Sequence, residues 1–429
     1  MGTKDKLSWR EIKYYFFAFF IVSFTFQNFF RNPDYKLYIM LLFLGIFILS
    51  VKKIPYRLIY VWIVLSLIII VQGLRFDYSP VSHITNLFIN TFIPFVLLMI
   101  MPYNYHKYVI KVILFLSICS FVLWIGVNIS PSFHNTIKWL ALNLPLDYID
   151  SSNPLSGSKE QIIIFTYEAD TSIGGIIRNA GFCHEPGAYS VALIYAMVFN
   201  LFLTRKLLSK TNVFFIICIL TTFSTAGYIS FLLIIFVYLL NSTLSRKLVY
   251  IPILILAGLF VFSLDFMGDK ISEQVDYQTN VSLDEPTSGR ILGARKALYV
   301  LSKYPLTGRG YLSISKESDL TSAEAAGYGF MYYMAQVGFV VFFITIFLFN
   351  KTMTYWSRGV RRKKRGLSFI YNYSIVFIPI LFAQVFIPST LFCMLIFDYY
   401  YRNIPYKRIN YCLENNYDNC YYPNQIHSV

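Results

Sequence analysis

Three side chains with chemical potential stand just before an apolar run: Arg178, His184 and Glu185. Pro186 follows them directly and is typical of the first turn of a helix, where proline loses no hydrogen bond. The imidazole and the carboxylate are candidate proton acceptors, and the guanidinium is a candidate ligand for phosphate oxygens. The structural alternative makes Glu185 the cap of the helix N-terminus and Arg178 its ionic partner. The pattern predicts a rigid polar site at one end of an apolar helix.

A second candidate segment lies between residues 288 and 311. Its first part has the period of an amphipathic helix. Arg290 falls on the apolar side of this helix. Two roles are open for it: a ligand for a lipid-linked phosphate, or a cap or snorkelling side chain. Gly308 and Gly310 then predict a turn whose backbone amides bind an anion. The predicted apolar face is Ile291, Ala294, Ala297, Leu298 and Leu301, and the face that meets anionic headgroups is Arg295, Lys296 and Lys303.

Composition places both segments in a membrane protein. The 429 residues are 56% hydrophobic and 19% aromatic but only 14% charged, with a mean hydropathy of +0.55. Soluble domains carry about 25% charged residues, so this chain lacks the polar residues that a water-facing surface requires. We therefore predict an all-α polytopic membrane protein that forms a single integral membrane unit over residues 1–429.

Apolar runs long enough to cross about 30 Å of hydrocarbon as helices define the architecture. We expect about twelve spans, or about ten if neighbouring runs join. A cluster of small residues from Ser224 to Tyr228 predicts a helix break with close packing. The predicted runs are 14–30, 37–51, 58–74, 84–101, 109–129, 188–204, 212–225, 227–241, 248–265, 326–350, 369–385 and 387–400.

The basic residues predict the orientation, because cytoplasmic loops retain lysine and arginine during insertion. The net charge is +15, and most of the basic residues fall in the N-terminal segment, in alternate connections and in the tail. Both termini, with the tail 401–429, are therefore predicted to be cytoplasmic. Two long connections, 130–187 and 266–325, are then external. The positive charge is a topology signal, so nucleic acid is not a predicted partner.

The chemistry is expected in the two external loops. They hold most of the acidic residues, their length predicts short helices within them, and the apolar runs hold almost no ionisable residue. Ion-coupled transporters and proton pumps need ionisable groups along their path, so this distribution favours a surface reaction over transport. The six cysteines show neither metal-ligand spacing nor a disulfide scaffold, and no nucleotide-binding fingerprint is present. We predict no metal and no cofactor.

These motifs, in this order, resemble the Wzy-type polymerases that join repeat units of O antigen and capsular polysaccharide. The resemblance rests on the many spans with two enlarged external loops and on three short motifs. The related O-antigen ligases share much of this plan but carry a catalytic histidine in the second loop, whereas here none lies between His184 and His427. The motifs are Arg178-x-x-Gly181-x-x-x-Glu185-Pro186, Ser-Thr-x-Gly-Tyr ending at Tyr228, and Ser-Gly-Arg then Tyr-Pro-Leu-x-Gly-x-Gly between Ser288 and Gly310.

The resemblance implies a glycosyltransferase of the bacterial cytoplasmic (inner) membrane that joins undecaprenyl-pyrophosphate-linked oligosaccharides on the external face. It also implies membrane lipids and a chain-length regulator protein as partners. Glu185 is the expected base with His184 in reserve, and Arg290 is expected to stabilise the leaving pyrophosphate. An O-antigen ligase and a lipid-linked oligosaccharide flippase, which is a transporter, remain alternatives. The expected substrate-binding residues are Arg178, Arg290, Arg295, Arg309 and Tyr311.

Overall fold

The computed structural model describes residues 8–27, 33–50, 56–76, 87–143, 159–168, 172–173, 175–243, 250–252, 254–256, 258–259, 290–310, 329–360, 368–383 and 389–402. These residues are mainly helical. Within the described residues, four helical stretches are long and apolar enough to cross a membrane: Leu58–Arg75, His106–Ile129, Pro186–Thr204 and Gly329–Gly359. The chain is thus a mainly helical membrane protein, as predicted.

The helices follow the predicted apolar runs closely. In the first half they are α1 Trp9–Phe26, α2 Pro33–Ser50, α3 Tyr56–Arg75, a π-helical turn Phe88–Phe92 leading into α4 Ile93–Ile100, α5 His106–Ile129 and α6 Pro131–Asn143. In the second half they are α7 Pro186–Thr204, α8 Lys210–Thr221, α9 Thr225–Asn241, α10 Arg290–Lys303, α11 Gly329–Trp356, α12 Ser368–Tyr371, α13 Ile378–Ala383 and α14 Thr390–Arg402. The predicted run 248–265 lies largely outside the described residues.

Helix α7 is the centre of the bundle. It is buried along nearly its whole length, and it packs against α5, α8 and α9. Its residues are apolar on every side, without a polar stripe, which is the pattern of a helix enclosed by other helices. The polar segment that precedes α7 is therefore attached to the most deeply buried of the four candidate membrane helices.

The break between α8 and α9 lies at Thr222–Ser224, slightly before its predicted position. Phe223 takes a left-handed φ of +46°, and the Ser224 hydroxyl caps α9 by accepting a hydrogen bond from the amide of Gly227. A Cβ atom at Gly227 would lie 2.7 Å from the Cβ atom of Ser190 in α7. The close packing predicted for these small residues is confirmed.

The described part of the first long connection contains one helix and two β-hairpins rather than helices alone. After α6, strands β1 (Lys159–Ile162) and β2 (Phe165–Glu168) pair antiparallel, as do β3 (Ser172–Ile173) and β4 (Ile176–Ile177). A small apolar core joins them to the end of α5, because Phe165 and Tyr167 pack with Val127 and Ile137. The hairpins thus pack on the end of α5 and on α6, and the chain continues from them into α7.

Helix α10 in the second long connection packs on α11. Its buried side is Ala297, Val300 and Leu301, which contact α11 at Ala335 and its neighbours. Leu298, which was predicted on the apolar face, is 46% exposed. The contact with α11 therefore covers only part of the predicted apolar face, and Leu298 lies outside that contact.

The helix ends form two faces of the bundle, which we call the loop face and the basic face. At the loop face, the Gln27 side chain at the end of α1 donates to the carbonyl of Ile163 in the β1–β2 turn, and the Leu391 amide donates to the Thr25 hydroxyl. At the basic face, the Tyr401 hydroxyl at the end of α14 donates to the carbonyl of Met101. The described hairpins and the adjoining starts of α7 and α9 lie at the loop face, as does α10, because the turn that follows it is hydrogen-bonded to the end of α3.

Candidate functional site

The segment 178–185 crosses the loop face between the hairpins and α7. The Gly181 carbonyl accepts a 2.8 Å hydrogen bond from the Thr166 amide in β2. Asn179 is buried and ties the segment to the end of α8, because its amide and its side-chain nitrogen both donate to Thr221. The carboxamide oxygen of Asn179 accepts in turn from the Gly181 amide at 2.9 Å. The polar segment is thus hydrogen-bonded to β2 and to the end of α8, and it is also held by a hydrogen bond of its own.

Gly181 is required where the sequence motif has it. Its φ of +58° is left-handed, a conformation that favours glycine. A Cβ atom here would lie 2.6 Å from the ring of Tyr189, which is buried in the first turn of α7. Because the Gly181 backbone packs closely on the Tyr189 ring, His184 and Glu185 lie next to the first turn of α7.

His184 is oriented by a backbone carbonyl of a distant helix. Its Nδ1 atom lies 3.1 Å from the carbonyl oxygen of Phe26 at the end of α1, and its own amide donates to the same oxygen. Because a carbonyl only accepts, Nδ1 carries the proton and Nε2 is the nitrogen that can take up another. Nε2 points toward Glu185, 3.8 Å from Oε1. The imidazole is therefore held in the tautomer that a general base needs.

Glu185 occupies the N-cap position of α7, with Pro186 at the first helical position, as predicted. Within the described residues, however, its carboxylate makes no capping hydrogen bond to the helix amides. The side chain is 33% exposed and turns toward His184, which is 21% exposed. The two groups form a partly solvated carboxylate–imidazole pair, and the capping interpretation of the Glu185 carboxylate is wrong.

Arg178 lies at the start of the segment and contacts the α8–α9 turn. Its Nε and Nη2 atoms donate to the carbonyl oxygens of Thr222 and Phe223, at 3.2 and 3.1 Å. One planar guanidinium thus holds two successive carbonyls, including that of the left-handed Phe223. Arg178 couples the site segment to the break between two helices, whatever further group it binds.

Cys183 is adjacent to the pair but is not a candidate nucleophile. The side chain is fully buried, and this burial raises the pKa of the Cys183 thiol well above its ordinary value, with a smaller contribution from the Glu185 carboxylate. The thiol stays protonated at neutral pH, and the thiolate is the reactive form. Proton transfer at this site therefore falls to His184 and Glu185.

Among the substrate-binding residues predicted in the second loop, Arg309 is the one whose side chain the structure describes. It lies in the turn after α10, with its guanidinium carbon 4.6 Å from the centroid of Phe76 and 5.4 Å from that of Tyr304. Arg290 and Arg295 are in α10, but their side chains lie outside the described part of the chain, as does Tyr311. Arg309 belongs to a group built on the end of α3, whereas the His184–Glu185 pair lies at the end of α1 and the start of α7.

The backbone turn predicted to bind an anion is wrong. The amides of residues 308–310 donate to backbone carbonyls at 2.8–3.0 Å. Two of those carbonyls, on Ala335 and Gln336, belong to α11, where helical geometry breaks at Gly338 with a φ of +77°. The turn satisfies the carbonyl groups that the break leaves open, so its amides are committed to the fold.

Sequence reasoning missed three groups. The Phe26 carbonyl, which orients His184, could not be identified from the sequence, because every residue has a backbone carbonyl. No role was predicted for Arg75, whose guanidinium lies over the ring of its neighbour Phe76. Asp398 lies in the last apolar run, where it is fully buried at the basic face and accepts a 2.8 Å hydrogen bond from the Trp356 indole. Its position as the one acidic residue in the run 387–400 could have marked it in the sequence.

Comparison of the chain with protein-family models, with curated proteins and with solved structures finds no match.

Proposed function

We propose that this chain is a membrane glycosyltransferase of the Wzy type, a polymerase that joins polyprenyl-pyrophosphate-linked oligosaccharide repeat units. The observation that carries the proposal is the His184–Glu185 pair at the start of α7. It combines a carboxylate, an imidazole held in one tautomer and a rigid buried helix at the end of the bundle where the loops gather. Such a pair is suited to remove a proton from a hydroxyl group at a membrane surface.

The reaction follows from that pair. The hydroxyl oxygen of the acceptor sugar attacks the anomeric carbon of the donor glycan. The bond from that carbon to the pyrophosphate oxygen breaks, and the pyrophosphate leaves with the electron pair. The proton of the hydroxyl passes to His184 Nε2 or to the Glu185 carboxylate, and arginine side chains stabilise the leaving charge.

In the proposed topology the chain crosses the bacterial cytoplasmic membrane about twelve times, with the loop face external and both termini cytoplasmic. Several exposed basic side chains at the basic face support this orientation, including Lys107, Lys111, Lys206 and Arg358. The two long connections belong to the opposite face, where the growing glycan is assembled in this proposal.

Thiol labelling tests the orientation. In a background without the six native cysteines, Ile163→Cys and Ile176→Cys expose a thiol in each of the two hairpins, since both side chains are more than 40% exposed. Lys206→Cys exposes one at the basic face. We expect a membrane-impermeant maleimide added to spheroplasts to label the first two variants, and the third only after lysis. Labelling of Lys206→Cys alone in intact spheroplasts would reverse the proposed topology.

Gene deletion tests the function. We expect the deletion strain to carry surface glycan that stops at one repeat unit, with lipid-linked units still present on the outer leaflet. Gel electrophoresis of the glycan and analysis of the lipid-linked pool measure both. Accumulation of units on the inner leaflet would identify a flippase. Polymerised glycan that remains on its lipid carrier would identify a ligase.

A further inference from the structure

Two arginines from distant parts of the chain share one pair of aromatic rings at the loop face. Phe76 follows α3, Tyr304 follows α10, and their ring centroids are 5.2 Å apart with the rings nearly perpendicular. The guanidinium carbon of Arg75 lies 5.3 Å from Phe76 and 5.4 Å from Tyr304. That of Arg309 lies 4.6 and 5.4 Å from the same rings. We call these four residues the arginine cradle.

The cradle is held rigidly by buried polar contacts. Gln72, one turn before Arg75, is buried and donates through Nε2 to the carbonyls of Thr307 and Gln336, at 2.6 and 2.9 Å. Arg75 itself donates to the Thr307 hydroxyl at 2.9 Å. The Arg309 amide is fixed by the carbonyl hydrogen bond to α11. Both guanidinium groups therefore sit on anchored backbone, so little entropy is lost when a ligand orders them.

The cradle holds two positively charged guanidinium groups, which an anion bound between them would stabilise. The shared rings place the two guanidinium carbons no more than about 10 Å apart, a separation comparable with the Debye length of about 8 Å at physiological salt, so the two positive charges repel each other. Within the described residues Arg75 forms no ion pair with a carboxylate, and its hydrogen bond goes to a neutral hydroxyl. Asp77 lies outside the described residues. Planar guanidinium groups match phosphate oxygens, and a diphosphate carries enough charge for both.

We infer that Arg75 and Arg309 together form a binding site for the phosphate groups of a lipid-linked or free diphosphate, with Phe76 and Tyr304 holding the guanidinium planes. The cradle is built on the end of α3 and the turn after α10, whereas the His184–Glu185 pair is built on the end of α1 and the start of α7. Only the identity of the sugar that the diphosphate carries rests on the proposed function.

A direct binding measurement tests this site. The full chain, purified in detergent, is titrated with farnesyl diphosphate and with inorganic pyrophosphate. We expect the double variant Arg75→Gln with Arg309→Gln to lower the affinity for farnesyl diphosphate about 10-fold or more, as for loss of charge-assisted hydrogen bonds. The matched control is Arg358→Gln at the basic face, whose guanidinium carbon stacks 4.9 Å from the Tyr355 ring. It should bind like the wild type.

The two probes separate the sources of the diphosphate. Tighter binding of farnesyl diphosphate than of pyrophosphate assigns the site to a lipid-linked ligand, and equal binding assigns it to a free one. If the double variant unfolds, Arg75→Lys and Arg309→Lys, which keep the charge and the aliphatic stem, should each bind more weakly than wild type. Wild-type affinity in the folded double variant, or an equal loss in Arg358→Gln, would refute the site. Because binding needs no polymerisation, a deletion strain with normal glycan would refute the proposed function alone.

Discussion

Replacing Glu185 by glutamine should lower polymerisation about 100-fold, within the range usual for loss of a general base. The change keeps the shape of the side chain and the proline start of α7. It also removes no capping hydrogen bond, because the carboxylate makes none to the α7 amides in the described chain. The fall should therefore come from chemistry and not from stability. Glycan chain length in cells that carry equal amounts of the variant in the membrane measures it.

The control for this experiment is His184→Gln, which tests the other member of the pair. If Glu185 takes the proton, Glu185→Gln should be the more damaging change. If His184 Nε2 takes it and the carboxylate only stabilises the imidazolium, His184→Gln should be the more damaging change. Near wild-type chain length in Glu185→Gln would remove the base role from Glu185. If the membrane abundance of Glu185→Gln falls as much as its activity, Glu185 has a structural role instead.

The helices were predictable because burial in lipid requires long apolar runs, and each run leaves a clear trace in the sequence. The site before α7 was predictable for a similar local reason: Arg178, His184 and Glu185 lie within one short segment that Pro186 joins to a helix. The hairpins of the first long connection were not, because strands of two to four residues leave almost no periodic pattern.

The long-range parts of the site were not predictable. The tautomer of His184 depends on the Phe26 carbonyl, 158 residues earlier in the chain. Arg75 and Arg309 meet only because the turn after α10 docks on the break in α11 at Gly338. That docking also explains why the glycines of the turn were wrongly predicted to bind an anion. Their role is close packing of backbone against backbone, because a Cβ atom at Gly308 would lie 2.2 Å from the Gln336 carbonyl oxygen.

Arg178→Lys should abolish most polymerisation, although it keeps the positive charge. The guanidinium donates from Nε to the Thr222 carbonyl and from Nη2 to the Phe223 carbonyl, and a lysine ammonium cannot reproduce this planar fork. Hydrogen bonds to charged groups contribute about 1.5–3 kcal/mol, so weakening the pair loosens the α8–α9 turn beneath the site segment. Arg358→Lys, a like change at the basic face, should leave chain length unchanged.

Two measurements on Arg178→Lys separate a phosphate ligand from a structural clamp. A clamp predicts that the variant unfolds at lower temperature than the wild type, while the purified protein binds farnesyl diphosphate with unchanged affinity. A phosphate ligand predicts weaker binding with a smaller effect on unfolding. The contacts with Thr222 and Phe223 favour the clamp, and the arginine cradle then supplies the phosphate site. Wild-type chain length in Arg178→Lys would show that neither role limits the reaction, and that the His184–Glu185 pair keeps its position without the guanidinium.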